Sequence, residues 1–184
     1  MNFKAYCEGL SRLYSAEGFE LKLGPGASEA ALDRAEAHLG FSLTEELRGA
    51  WLHADGAREK CPVFVRPGYL SAFCFLSIGE AVEAREGMRR RSSRYEGYQE
   101  PRPRDPRVMQ GWFQEGWLPF AGFGSATMLL VEDHAPSPLG RRGQIVAFTH
   151  DPDAIEYVAP SFAELLAASI KSIADDPDEF FVGL

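Results

Sequence analysis

Apolar residues recur along residues 2–17 at Phe3, Tyr6, Cys7, Leu10, Leu13 and Tyr14, spacings that gather them on one face of a helix. Gly18 supplies a stop, and the N-terminal helix is placed within residues 1–24. The same period returns at Leu32, Ala35 and Leu39, between a capping Ser28 and Gly40. It returns again at Leu47, Ala50, Trp51 and Ala54, behind Thr44 and ahead of Gly56, so 28–56 reads as a helical hairpin. The pattern then changes. CPVFV, the turn Arg66-Pro-Gly68 and YLSAFCFL read as strand, turn and strand over 61–76. Ser77 with Glu80 forms a capping box and predicts a helix to about Arg91.

Residues 92–107 are polar, rich in proline and without period, which predicts a mobile insertion loop. Apolar mass is concentrated in 112–150. Thr127–Val131 and Ile145–Phe148 flank a Pro- and Gly-rich loop and read as an antiparallel pair at the centre of the core sheet. Ile155–Val158 is a further strand, joined by a hairpin across His150-Asp-Pro-Asp153. Ser161 and Glu164 form another capping box, opening a helix whose core face is Phe162, Leu165, Leu166, Ile170 and Ile173. Asp175-Asp-Pro177 ends it, and the apolar tail 179–184 either docks on the domain or binds something else. The expected fold class is α+β, with a mainly antiparallel sheet of about five or six strands and helices packed around it. At 184 residues, one domain spanning 1–184 is expected.

Composition narrows the function. A hydrophobic content of 45% is enough to build a core. No run approaches the ~18 apolar residues of a membrane span. The N-terminus lacks the apolar stretch of a secretory signal, so the expectation is a cytoplasmic protein with no membrane partner. Cys7, Cys61 and Cys74 are odd in number and widely spaced, which suits free thiols and neither a disulfide framework nor a metal knuckle. A net charge of −8 argues against nucleic acid as a partner and permits a basic protein. The charge is uneven: eight arginines face four acids over 85–107, and eight acids face Lys171 alone over 150–184. Two solvated faces, an intramolecular match between them, or an acidic partner-binding face would each account for this.

Candidate chemistry centres on Glu132, Asp133 and His134, with His150, Asp151 and Asp153 on the next hairpin. Side chains alternate faces along a strand, so three consecutive residues cannot all ligate one ion. Asp133 and Asp151 are better read as holding their own loops, and no metal is expected. His53 sits near a helix C-terminus, where it suits the dipole. There is no Gly-x-Ser-x-Gly elbow and no P-loop, and Gly122-Phe-Gly124-Ser125 is too tightly spaced for a dinucleotide fingerprint. The cysteines fall in apolar elements, where a thiol is inert. No catalytic residue, cofactor or metal site is therefore expected. Trp117 is assigned to the core. Trp112 is kept as a candidate interface anchor, because aromatics beside a turn at Pro119-Phe120 can serve as one.

Several pieces in fixed order carry a family resemblance. They are Gly116-Trp-Leu-Pro-Phe-Ala121, the Leu-rich strand ending in Asp133 with Pro136 beyond, and Gly140-Arg-Arg-Gly143-Gln-Ile-Val146, then His150-Asp151 and Ala159-Pro-Ser-Phe162. Their order and spacing resemble the SUKH superfamily, in particular the Smi–Knr type named after a yeast cell-wall regulator. The hairpin 28–56 also resembles its N-terminal signature, with Leu43-Thr44 where the family usually has Leu-Pro. The 92–107 segment is the least family-like part of the chain. The resemblance implies a SUKH-like fold and a non-enzymatic immunity protein that binds and neutralises a cognate bacterial toxin. For an acidic chain, that partner would be basic, such as a nuclease. A regulatory scaffold in cell-wall assembly is the alternative, and an enzyme using the Asp133/His150 region the third class. Adjacent hairpins could bring Glu132, Asp133, Asp151, Asp153 and Glu156 into one acidic protein-binding patch, joined by Trp112.

Overall fold

A computed structural model describes residues 1–69, 71–100, 102–123 and 127–181. Among these, α1 (Phe3–Ala16), α2 (Glu29–Leu39) and α3 (Glu45–His53) precede β1 (Pro62–Val65), β2 (Ala72–Phe75) and α4 (Ile78–Ser92). There follow β3 (Trp117–Phe123), β4 (Met128–Asp133), β5 (Gln144–Thr149), β6 (Ala154–Ala159), α5 (Phe162–Asp175) and α6 (Pro177–Phe181). The helices start where the sequence places caps. Ser28 accepts from Ala31 N–H, Thr44 from Leu47 N–H, and Ser77 and Glu80 complete a reciprocal capping box. At α5 only half of the expected box forms: Ser161 accepts from Glu164 N–H, while Glu46 of α3 takes Ala163 N–H at 3.0 Å. None of the described helices is long and apolar enough to cross a membrane.

The six strands pair antiparallel in chain order, β1 to β6. Alternation sends side chains to two faces, and both are buried. The first face carries Phe64, Phe75, Phe120, Leu130 and Ile145 and packs under α1, α3 and α5 in one cluster with Phe3, Tyr6, Trp51 and Phe162. The second carries Trp117, Leu129, Val131, Val146, Phe148 and Ile155. Met88 of α4 and the chain between α4 and β3 cover it, through Tyr95, Tyr98, Val108, Trp112 and Phe113.

Two sequence expectations change here. Pro119-Phe120, read as a turn, lies inside β3. Proline cannot donate to a ladder, and the register slips between Pro119 and Ala121 to accommodate it. The segment 92–107, expected as a mobile loop, is tied down at several of its described residues. Tyr95 stacks on Trp112 with centroids 4.1 Å apart, Tyr98 Oη donates to Asp153 O at 2.8 Å, and Arg104 pairs with Glu100 at 2.7 Å with both side chains buried. Aromatics spaced without a helical or strand period still cover a sheet face, and periodicity cannot report that. The described part of the C-terminal tail docks: Phe180 and Phe181 are buried, and Phe181 meets Tyr14 edge-on at 4.9 Å. Residues 182–184 of that tail, and Gly124-Ser125 of the glycine loop, lie outside the described residues.

The two sheet edges differ. Helix side chains cap the outer backbone of β1: Tyr6 Oη donates to Val63 O, Tyr14 Oη donates to Pro62 O at 2.7 Å, and Ser169 Oγ accepts from Val65 N–H at 2.9 Å. At the far edge, Glu156 of β6 meets Arg66, just beyond β1, at 2.9 Å. The sheet therefore curls far enough for one ion pair to join its two margins.

Candidate functional site

The residues singled out in the sequence separate by depth. Glu132 is fully buried on the helix-hairpin side, where its Oε1 accepts from Thr44 Oγ1 at 2.7 Å. Its Oε2 lies 2.7 Å from His134 Nε2 without the alignment of a hydrogen bond, and Phe41 packs on the His134 ring at 4.4 Å. This cluster fastens the α2–α3 loop to β4. Asp133 turns to the opposite face, as strand alternation requires. Its carboxylate accepts from Ala135 N–H at 3.0 Å and from Gln144 Nε2 at 2.9 Å, and Gln144 also donates to Arg107 O. Burial raises its pKa above the usual carboxylate range, partly offset by the hydrogen bond from Gln144. Asp133 thus holds its own loop. Trp112 is 2% exposed, stacked on Tyr95 and edge-on to Phe148 at 5.1 Å. Glu132, Asp133 and Trp112 therefore lie beneath the surface, and the expected patch of six does not assemble as a whole.

Asp153 and Glu156 do come together at one cleft, while Asp151 stays in the β5–β6 turn outside its lining. Asp151 is exposed at a left-handed φ of 63°, a conformation Asp tolerates better than most residues. Asp153 Oδ1 sits 2.6 Å from His150 Nδ1. Asp153 and Glu156 border a cleft of about 540 Å³, walled by Tyr69, Pro103, Pro152 and Tyr157. The segment that forms its far wall is fixed by Glu100, which accepts from Ile155 N–H at 2.9 Å and pairs with Arg104. Arg107 lies over the Tyr157 ring, 3.4 Å from its centroid.

Four of the eight arginines of the arginine-rich stretch pair with carboxylates among the described residues. Arg85 and Arg89 pair with Glu86 and Glu115, Arg104 with Glu100, and Arg107 with Asp105. It still packs against the acidic stretch, through Tyr98, Glu100 and Arg107. Sequence reasoning missed Tyr69, Glu100 and Arg104 as the frame of the cleft. The spacing of Glu100 and Arg104 was visible, but it lay in a proline-rich run with no helix on which to place it.

The motif glycines have a packing reason. A Cβ on Gly140 would lie 2.3 Å from Arg107 O, and one on Gly116 would lie 2.6 Å from the Ala135 Cβ, so both positions exclude any larger residue.

Among the described residues no group of three or more His, Cys, Asp or Glu is placed to hold a metal. A larger recess, about 770 Å³, runs between α4 and β2 and contains Cys74. The three thiols differ in reach. Burial pushes Cys7 up to about 12, and Cys74, half-buried, is also raised by burial. A disulfide reagent near pH 8 is expected to modify one thiol per native chain, mapped to Cys74. The rate should keep rising with pH beyond the ordinary thiol range of about 8.5, because the raised pKa keeps the sulfur protonated. Modification of Cys7 ahead of Cys74 in the folded protein would contradict the burial assigned to α1.

The family model described as SMI1 / KNR4 family (SUKH-1) matches residues 26–168. That span covers α2 through the first half of α5 and contains the cleft, both faces of the sheet and the Gly116 and Gly140 motifs. Among curated proteins, none matches the chain.

Proposed function

The chain belongs to the SMI1 / KNR4 family (SUKH-1), and from that premise we propose that it works by stoichiometric protein binding, as an immunity protein that neutralises a cognate bacterial toxin. Family membership carries this reading, since bacterial members of the superfamily are mostly non-enzymatic immunity proteins. The acid-bordered cleft beside β6 supports it by offering a surface suited to a basic partner. Neutralisation needs no bond-making step: occupying or locking a toxin surface suffices. The chain's net charge of −8 would steer a basic toxin toward it, and that gain falls with salt.

The test is capture and function together. Tagged protein from its native host should retain one basic partner at low salt. That partner, expressed alone, should arrest growth, and co-expression of this chain should restore it. A captured partner that is harmless to cells overturns the immunity reading. A toxin gene immediately upstream separates immunity from a cell-wall scaffold.

The charge contribution is best tested at Asp151, which is exposed and has no charged partner among the described residues. Reversing Glu156 would strand Arg66, which is 8% exposed, so lost binding would be confounded with lost stability. Asp151→Asn is expected to leave the melt unchanged and slow association with the captured partner. The difference should vanish near 0.5 M salt, where the Debye length is about 4 Å. A Kd shift carried wholly by dissociation would instead assign Asp151 a direct contact.

A further inference from the structure

One row of residues across the sheet changes character halfway. Phe148, Leu129, Gly122, Cys74 and Pro62 are successive partners in the ladder from β5 to β1, so they share the second face. Phe148 and Leu129 are buried under the chain between α4 and β3. Gly122, Cys74 and Pro62 are only half-buried, and with Ala72 and Leu76 they floor the recess of about 770 Å³ beside α4. Small residues keep it open. A Cβ on Gly122 would meet the Leu129 and Leu76 methyls at 3.5 and 3.6 Å, ordinary contact distances, and one on Gly87 of the α4 wall would meet nothing within 4 Å. Neither glycine has a left-handed φ, and a helix interior disfavours glycine. Larger side chains would therefore fit at both places, and each would grow into the recess.

We propose that this recess binds a small elongated amphiphile, an apolar chain ending in an anionic group. The inference goes beyond the protein-binding reading and does not rest on it. Size and shape point to a small molecule. Ligand sites run from about 300 to 1,000 Å³, and the α4 wall from Glu80 to Arg91 is about 16 Å long at the helical rise. The lining is mostly apolar, and it includes Phe123, which is 44% exposed. Charge sets the sign of the head group. The lining holds three cations, Lys60, Arg90 and Arg91, and none is in an ion pair among the described residues. Of its two acids, Glu80 is engaged by Ser77, whose N–H and Oγ–H both reach its Oε2 at 2.8 Å, which leaves Glu83. The recess thus carries a positive surplus on a chain of net charge −8, which favours an anionic head over a neutral or cationic one on the same chain.

The test uses decanoate below its micelle concentration, with decanol and decyltrimethylammonium as probes of equal chain length and a capped hexapeptide of alternating Glu and Leu. Backbone amide NMR on the full chain maps the site, and a thiol reagent reads Cys74 in the floor. Decanoate is expected to shift the amides of Cys74, Gly87 and Gly122 together and to slow modification of Cys74 severalfold at saturation. Lys60→Gln and Arg90→Gln should each weaken decanoate about threefold, the scale of an exposed ion pair, and leave decanol unchanged. Gly122→Leu and Gly87→Leu fill the recess from floor and wall, and both should lose decanoate. Gly87→Leu should also melt higher, because leucine suits a helix interior; if Gly122→Leu fails to fold, the wall variant decides. No saturable binding of decanoate, equal binding by decanol or by the cation, an unchanged Cys74 rate, or wild-type binding by Gly87→Leu would each overturn the proposal. Tighter binding by the peptide than by decanoate would assign the recess to a protein segment and overturn it as well. None of these outcomes touches the capture experiment, and a capture that yields no growth-arresting partner fails the immunity reading alone.

Discussion

Trp117→Ala is expected to cost about 3–5 kcal/mol of folding stability and to lower the melting temperature by roughly 10 °C. The indole is fully buried at the start of β3, in the second-face cluster with Val131, Val146 and Phe148. Among the described residues its N–H makes no well-aligned hydrogen bond, only a weak approach to the Asp133 carboxylate, so the loss is chiefly one of ring packing and the cavity left behind. Collapse into that cavity is restricted on both sides. Below it, β4 and β5 are central strands; above it, the chain between α4 and β3 is fastened by Trp112 on Tyr95 and by Arg104 on Glu100. Urea melts of both proteins, fitted with a common slope, measure the difference. A shift of less than about 1 kcal/mol, the level of an ordinary surface change, would mean that the second face is loosely covered rather than packed.

What the sequence could disclose follows from how each feature is encoded. α1 to α5 were legible because their caps and apolar periods are local: Ser28, Thr44, Ser77 and Ser161 each sit where a helix begins. β4, β5 and β6 were legible as short apolar runs between turn residues. β3 was not, because Pro119 in mid-run is normally evidence against a strand, and only the bulge beside it makes the exception possible. The candidate site was half legible. Asp153 and Glu156 come from one hairpin, so proximity in sequence put them together. Tyr69, from the β1–β2 turn, reaches them because the sheet curls, and curvature is a property of the whole sheet that no local pattern states. Glu132 and Asp133 misled for the opposite reason. A carboxylate in a turn or at a strand end is ordinarily solvated, and only the tertiary arrangement of Thr44, Phe41 and Gln144 draws these two inside.

Arg104→Ala is expected to cost about 3 kcal/mol, at the lower end for breaking a buried ion pair by removing one partner. The side chains of Arg104 and Glu100 are 1% and 9% exposed, and Arg104 also donates to Gly111 O at 2.8 Å. Without the guanidinium, Glu100 keeps only the Ile155 N–H as a bonding partner, too little to offset desolvation of a carboxylate. Swinging 96–105 away from β6 rehydrates Glu100 and limits the cost, so much of the loss should appear as local opening. Trypsin separates the two contributions. In the wild-type chain Arg94 should resist, because Tyr95, Tyr98 and Arg104 hold its segment down; in the variant it should be cut before any helix is nicked. Pairing Arg104→Met with Glu100→Gln removes both charges together and should recover more than half of the lost stability, since the cost lies in the stranded carboxylate. If Arg104→Ala melts like wild type and trypsin already cuts at Arg94 in the unmodified protein, the segment is a loose cover. The far wall of the cleft would then have to be supplied by the partner.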